Sequence, residues 1–139
     1  MLSTTAEYAL RAMVYLASSQ NVPTRREIAG ATLIPEAYLV KVLRLLELAE
    51  LITAKRGPGG GYLFNGDVDS VTVFDVISAI SELPRIEKCP LGLTKHVKLC
   101  PLHARLDEVA RLAEEAYRQT PLSELLPKRS GSHCDFPKK

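Results

Sequence analysis

Apolar residues Ala6, Ala9, Leu10, Met13, Leu16 and Ala17 recur at intervals of three and four, which predicts an amphipathic helix over 4–19. Thr4 and Glu7 stand three apart at its start, the spacing of a capping box that satisfies N–H groups left unpaired in a first turn. Asn21, Val22 and Pro23 end this element. The same box recurs as Thr24 and Glu27 and predicts a short second helix, Arg25 to Ala29, closed by Gly30. Pro35 suits the first position of a third helix. In it Leu39, Val42, Leu43 and Leu46 form an inward stripe, leaving Glu36, Ala37, Tyr38, Lys41 and Arg44 to face a partner.

The period then changes. Residues 51–55 and Tyr62-Leu63-Phe64 favour strands, and Arg56-Gly-Pro-Gly-Gly-Gly61 between them reads as the tip of a hairpin. Thr72 caps a further helix through Ser81, which Leu83-Pro84 stops. From Leu99 onward, Leu102, Leu106, Val109, Ala113 and Ala116 alternate by four and three, a seam able to pair with a second copy of itself. The fold expected is mainly α with a small β-hairpin wing. A winged helix-turn-helix occupies 1–82, a Cys/His loop 83–100, a long pairing helix 101–120, and a disordered polar tail 121–139.

A chain of 139 residues accommodates one core of ordinary size. No apolar run reaches the ~18 residues of a membrane span, and no secretory signal opens the sequence, so a cytoplasmic protein with no membrane partner is expected. Three cysteines make an odd number for a disulfide framework and point instead to metal or thiol chemistry. A net charge of +2 permits nucleic-acid binding without arguing for it.

Two short helices followed by a hairpin form a unit whose third helix can enter a major groove of double-stranded DNA while the hairpin lies beside the backbone. Thr24, Arg25 and Arg26 stand at a helix N-terminus, where N–H groups and cations attract a phosphate. Arg56, with Gly59 and Gly60 letting the backbone approach closely, is placed to reach a minor groove. The glycine run joins two strands and is not followed by Lys-Ser/Thr and a helix, which excludes a nucleotide-binding P-loop. On pattern alone the same cations serve equally well as solvated helix faces, and the unit equally well as a module that holds another protein.

Leu2-Ser-Thr-Thr-Ala-Glu-Tyr-Ala-Leu-Arg-Ala-Met13, Ile34-Pro-Glu-Ala-Tyr-Leu39 and Arg56-Gly-Pro-Gly-Gly-Gly-Tyr62 resemble, in this order, the corresponding stretches of the Rrf2 family of winged-helix regulators, of the IscR, NsrR, RirA and CymR type. The resemblance covers about residues 1–120. It implies a homodimeric DNA-binding repressor or activator that senses iron–sulfur status, nitric oxide or cysteine supply, and not an enzyme. By the same likeness Tyr38 and Lys41 fall among the contacts of the third helix, and Arg56 is the wing arginine. Relatives of the IscR kind often carry glutamate after the Tyr-Leu pair; Val40 stands there and offers only apolar contact, as to a thymine methyl.

Cys89, His96, Cys100 and His103 fall within fifteen residues, spaced Cys-x6-His-x3-Cys-x2-His. Pro101 predicts that the long helix starts there, which sets the Cys100 sulfur beside unpaired N–H groups. Cys100 and His103, three apart, share a helical face. The resemblance implies an iron–sulfur cluster at Cys89, Cys100 and His103, whose Cys-Pro-Leu-His run matches that of cluster-bearing relatives. The family's middle cysteine is absent, and His96 is the nearest replacement. Mixed thiolate and imidazole ligation suits a 2Fe-2S cluster better than a 4Fe-4S one, and zinc is the alternative. Some members recruit an acidic residue of the first helix; Glu7 holds that place, although a capping box already accounts for it. A cysteine–histidine catalytic pair is also conceivable on spacing, but no substrate pocket accompanies it. Cys134, near the C-terminus, has no partner at ligand spacing.

Overall fold

The structure, a computed structural model, describes residues 2–83, 85–92 and 100–127. His96, Leu99, Cys134 and the stretch 128–139 lie outside the described residues. Among the described residues, five helices and one hairpin follow in the order α1 (Thr4–Ser18), α2 (Arg25–Thr32), α3 (Glu36–Leu48), β1 (Ile52–Lys55), β2 (Gly61–Phe64), α4 (Val73–Ile80) and α5 (Pro101–Gln119), with a 3₁₀ turn at Leu122–Glu124.

The α1 cap differs from the expectation. Ser3, not Thr4, is the N-cap, its Oγ accepting from the Ala6 N–H at 3.2 Å. Starting one residue earlier shifts Glu7 out of the third helical position, so the Thr4–Glu7 box does not form and Glu7 is simply exposed. At α2 the box forms as read, with the Thr24 side chain accepting from the Glu27 N–H and the Glu27 carboxylate accepting from the Thr24 N–H. The helix nevertheless runs through Gly30 to Thr32 and ends at Leu33, whose φ of 56° is left-handed. A tertiary tie holds this end: Arg11 of α1 donates to the Thr32 carbonyl at 3.4 Å. Ile34 is buried just beyond. Pro35 is the N-cap of α3 and not its first helical residue.

The α3 stripe Leu39, Val42, Leu43 and Leu46 is buried in one cluster with Met13, Leu16, Ile28, Ile52 and Val76. Strands β1 and β2 pair antiparallel from Ile52↔Phe64 to Lys55↔Gly61. The hairpin is anchored near its turn, where the Tyr62 N–H donates to the Pro23 carbonyl at 3.0 Å. A Cβ at Gly61 would collide with that same carbonyl oxygen, so only glycine lets the wing sit this close to the start of α2. Helix α4 begins with a second box, Thr72 and Asp75.

The segment after α5 corrects the tail expectation over 121–127. The Leu122 N–H donates to the Val71 carbonyl at 2.8 Å and the Ser123 N–H to the Val68 carbonyl at 2.9 Å. Leu122 itself is fully buried in the main cluster. The run Leu122, Leu125 and Leu126 is too short for a periodic signal, yet it finishes the core that α1, α3 and α4 leave open.

Candidate nucleic-acid interface and thiol pair

With one side of α3 buried, its other side is presented outward: Glu36, Ala37, Tyr38, Lys41 and Arg44 are all exposed. The α2 N-terminus adds exposed Thr24, Arg25 and Arg26, and the wing tip adds Arg56. Because Pro23 holds the turn end of the wing, the α2 start and the wing share one groove, lined among others by Thr24, Arg25, Lys55, Arg56 and Gly60, with the acidic Glu47 of α3 at its side. Lys55, on β1 beside the tip, is a groove cation that the sequence reading did not single out. Its clue was adjacency to Arg56. Gly59 has a left-handed φ of 71°, and a Cβ at Gly60 would meet the Lys55 and Gly57 carbonyl oxygens, so both glycines are demanded by the turn. Glu27 stands at the same helix start as Arg25 and Arg26. The Thr24 N–H and then its hydroxyl donate to the carboxylate and hold its pKa below the ordinary range, so the ionised group is engaged by the cap.

The second cluster lies at the α5 start. Cys100 is the N-cap and Pro101 the first helical residue, as the spacing predicted, and the Cys100 Sγ accepts from the His103 N–H at 3.4 Å. Cys89 reaches it from the preceding segment, with the two sulfurs 3.7 Å apart and neither in a disulfide. His103 is the buried residue of α5 and does not join them. Its Nε2–H donates to the Ile86 carbonyl at 2.5 Å. Arg85, unremarked in the sequence, forks onto Asp107 at 3.0 and 3.1 Å and so pins the same segment along α5.

The sulfur separation of 3.7 Å matches the ~3.8 Å edge of a tetrahedron with ~2.3 Å metal–sulfur bonds. The imidazole is held as a metal-bound one often is, with one ring nitrogen donating to a backbone carbonyl and Nδ1 left as an acceptor. Even so, no three His, Cys, Asp or Glu side chains converge to hold a metal among the described residues. Glu7 and His103 stay outside the sulfur pair, and the fit to a cluster or a zinc ion stops at two donors. The convergence expected of two sulfurs and an imidazole is thus met only for the sulfurs.

The family model described as "Iron-dependent Transcriptional regulator", Rrf2, matches residues 2–128. The chain is a member of the Rrf2 family. It is similar to a protein of Aquifex aeolicus (strain VF5) placed among HTH-type transcriptional regulators, at 27% identity over 91% of each chain. It is also 36% identical to the transcriptional regulator IscR of Vibrio campbellii over 63% of this chain and 54% of that one, so it spans about half the length of that relative. Among solved structures, IscR of T. potens superposes with a TM-score of 0.74 at 22% identity, covering 89% of this chain and 84% of that one. Rrf2 proteins are DNA-binding transcriptional regulators and not enzymes, and the mainly helical architecture with its two-stranded hairpin is theirs. Among the described residues no helix is long and apolar enough to cross a membrane.

Proposed function

We propose that the chain is a homodimeric, cytoplasmic, sequence-specific reader of double-stranded DNA whose binding is set by the state of the Cys89–Cys100 pair. The observation that supports the DNA half is the two-sidedness of α3, one side buried in the core and the other exposing Tyr38, Lys41 and Arg44, beside a groove that the α2 N-terminus shares with the Arg56 wing. In this reading α3 lies in the major groove, Thr24, Arg25 and Arg26 meet the backbone, and Arg56 meets the flanking minor groove. Leu102, Leu106, Val109, Ala113 and Ala116 form the seam with the second copy. A duplex selected from a random library should bind with an affinity that falls steeply with salt, and Lys41→Ala should flatten the slope by about one. Failure to select any duplex would remove the reading.

The sensing half rests on the sulfur pair at the N-cap of α5. As a dithiol, Cys89 and Cys100 close from 3.7 Å to the ~2.05 Å of a disulfide by passing two electrons and two protons to hydrogen peroxide, which leaves as two waters. Closure draws segment 85–92 onto the first turn of α5. Cys89→Ala and Cys100→Ala should each bind DNA but ignore peroxide; a normal response in both variants contradicts the proposal. A second reading, an iron–sulfur cluster or zinc with His103 and His96 as further ligands, is favoured by the Nε2–H bond that leaves Nδ1 available and by the iron dependence named for the family. Metal analysis and an absorption spectrum of anaerobically purified protein separate the readings, since clusters absorb visible light and zinc and dithiols do not.

A further inference from the structure

Tyr38 is the one aromatic residue of α3, and it stands 55% exposed on the helix side turned away from the core. A ring so exposed would ordinarily sample several rotamers. Here it has a neighbour. The Tyr8 ring of α1 meets it edge-to-face, with centroids 5.9 Å apart and planes at 64°. Tyr8 is itself half-buried against the main core cluster and therefore a fixed platform. One turn further along α1, the Arg11 guanidinium lies 5.3 Å from the Tyr8 centroid, in reach of a cation–π contact, while donating to the carbonyl of Thr32 where α2 ends. Arg11 thus touches both the ring that braces α3 and the turn that sets the angle between α2 and α3.

We infer that Tyr8 and Arg11 are positioning residues for DNA recognition: they hold the Tyr38 ring in one orientation before DNA arrives, with its hydroxyl directed at the duplex. The benefit is in affinity through preorganisation, because a rotamer already selected in the free protein is not paid for on binding. Neither residue touches DNA in this scheme. The inference rests on α3 being the groove helix, and it names which part of α1 serves that helix.

The test is a double-mutant cycle on the full chain, measured by fluorescence anisotropy with a duplex selected by the wild type from a random library. Tyr38→Ala should weaken binding about tenfold, and Tyr8→Leu about three- to tenfold, the range expected for an edge-to-face aromatic pair. The decisive figure is the coupling: Tyr8→Leu combined with Tyr38→Ala should bind no worse than Tyr38→Ala alone. Tyr8→Phe, which keeps the ring, should restore wild-type affinity, and Arg11→Gln should weaken binding about threefold with an unchanged salt slope, as befits a cation that releases no phosphate counterion. Should Tyr8→Leu melt at a much lower temperature, Tyr8→Phe and Arg11→Gln still decide, since both retain the packing. Additive losses, or an Arg11→Gln slope lowered by about one, overturn the inference while leaving α3 as the reader. A Tyr38→Ala variant that binds like the wild type overturns both.

Discussion

Helices α3 and α5 are both amphipathic, but their apolar sides meet different fates. Leu39, Val42, Leu43 and Leu46 of α3 are buried by α1, α4 and the 3₁₀ turn, whereas Leu102, Leu106, Val109 and Leu112 of α5 remain exposed, Val109 at 54%. α5 holds its shape partly through its own charges, with Arg111 paired to Glu108 and Glu115 and Arg118 paired to Glu114. A period of three and four says that a side is to be covered; it is silent on whether the cover belongs to the same chain. α3 is finished by its own fold. The α5 row is complete only when something else lies on it, and a second α5 is the partner proposed.

The comparison makes its strongest demand in the core. Leu43→Ala should cost roughly 2–5 kcal/mol in denaturant unfolding, through lost burial and the cavity left behind. Leu106→Ala in dilute, monomeric protein should cost about 0.5 kcal/mol or less. Equal costs would mean that α5 is already covered within one chain. Next comes the wing: Gly61→Ala drives a Cβ into the Pro23 carbonyl, so about 1–3 kcal/mol of overpacking is expected, together with a loss of DNA affinity as the hairpin leaves α2. Unchanged affinity would show that the wing position does not matter to binding.

The seam itself is probed by Val109→Glu, which should raise the dimer dissociation constant more than tenfold, about 1.4 kcal/mol, in sedimentation equilibrium while leaving helix content intact. A dimer that tolerates this charge pairs through another surface. The smallest effect concerns the α2 cap. Thr24→Ala should cost about 1 kcal/mol in thermal unfolding. Because the Thr24 N–H and hydroxyl depress the folded-state pKa of Glu27 below its ordinary 4.5, the stability it contributes is present at neutral pH and lost as pH falls through that depressed value. Glu27→Gln should remove that part of the acid sensitivity, and an identical acid profile in the variant would show that the cap bonds carry none of it.

Much of the groove-facing surface was legible from residue pattern, since α3, the wing and the α2 box depend on neighbours within a few positions. Misreadings came where a distant contact chose among local options. Gly30 looked like a stop, but the tie from Arg11 to Thr32 and the burial of Ile34 carried α2 past it to a left-handed Leu33. Ser3 took the cap from Thr4 because either residue can start the same helix, and the choice is worth only the difference between two good caps. In the thiol site, Cys89 and Cys100 lie 3.7 Å apart, and the His103 Nε2 is engaged by the Ile86 carbonyl seventeen residues back, a contact that spacing gave no sign of.

Sequence alone settled the order of the main helices, where the hairpin turns, and which helix sides are apolar, because each follows from periods and caps spanning one or two turns. Tertiary structure decided the rest: the wing hooked to Pro23, residues 121–127 drawn in to close the core, the Tyr38 ring set edge-to-face against Tyr8, and a buried histidine bonded to the Ile86 carbonyl. Those outcomes depend on which of several equally polar or apolar partners lies within reach after collapse, and only the packed chain brings the competitors close enough to choose.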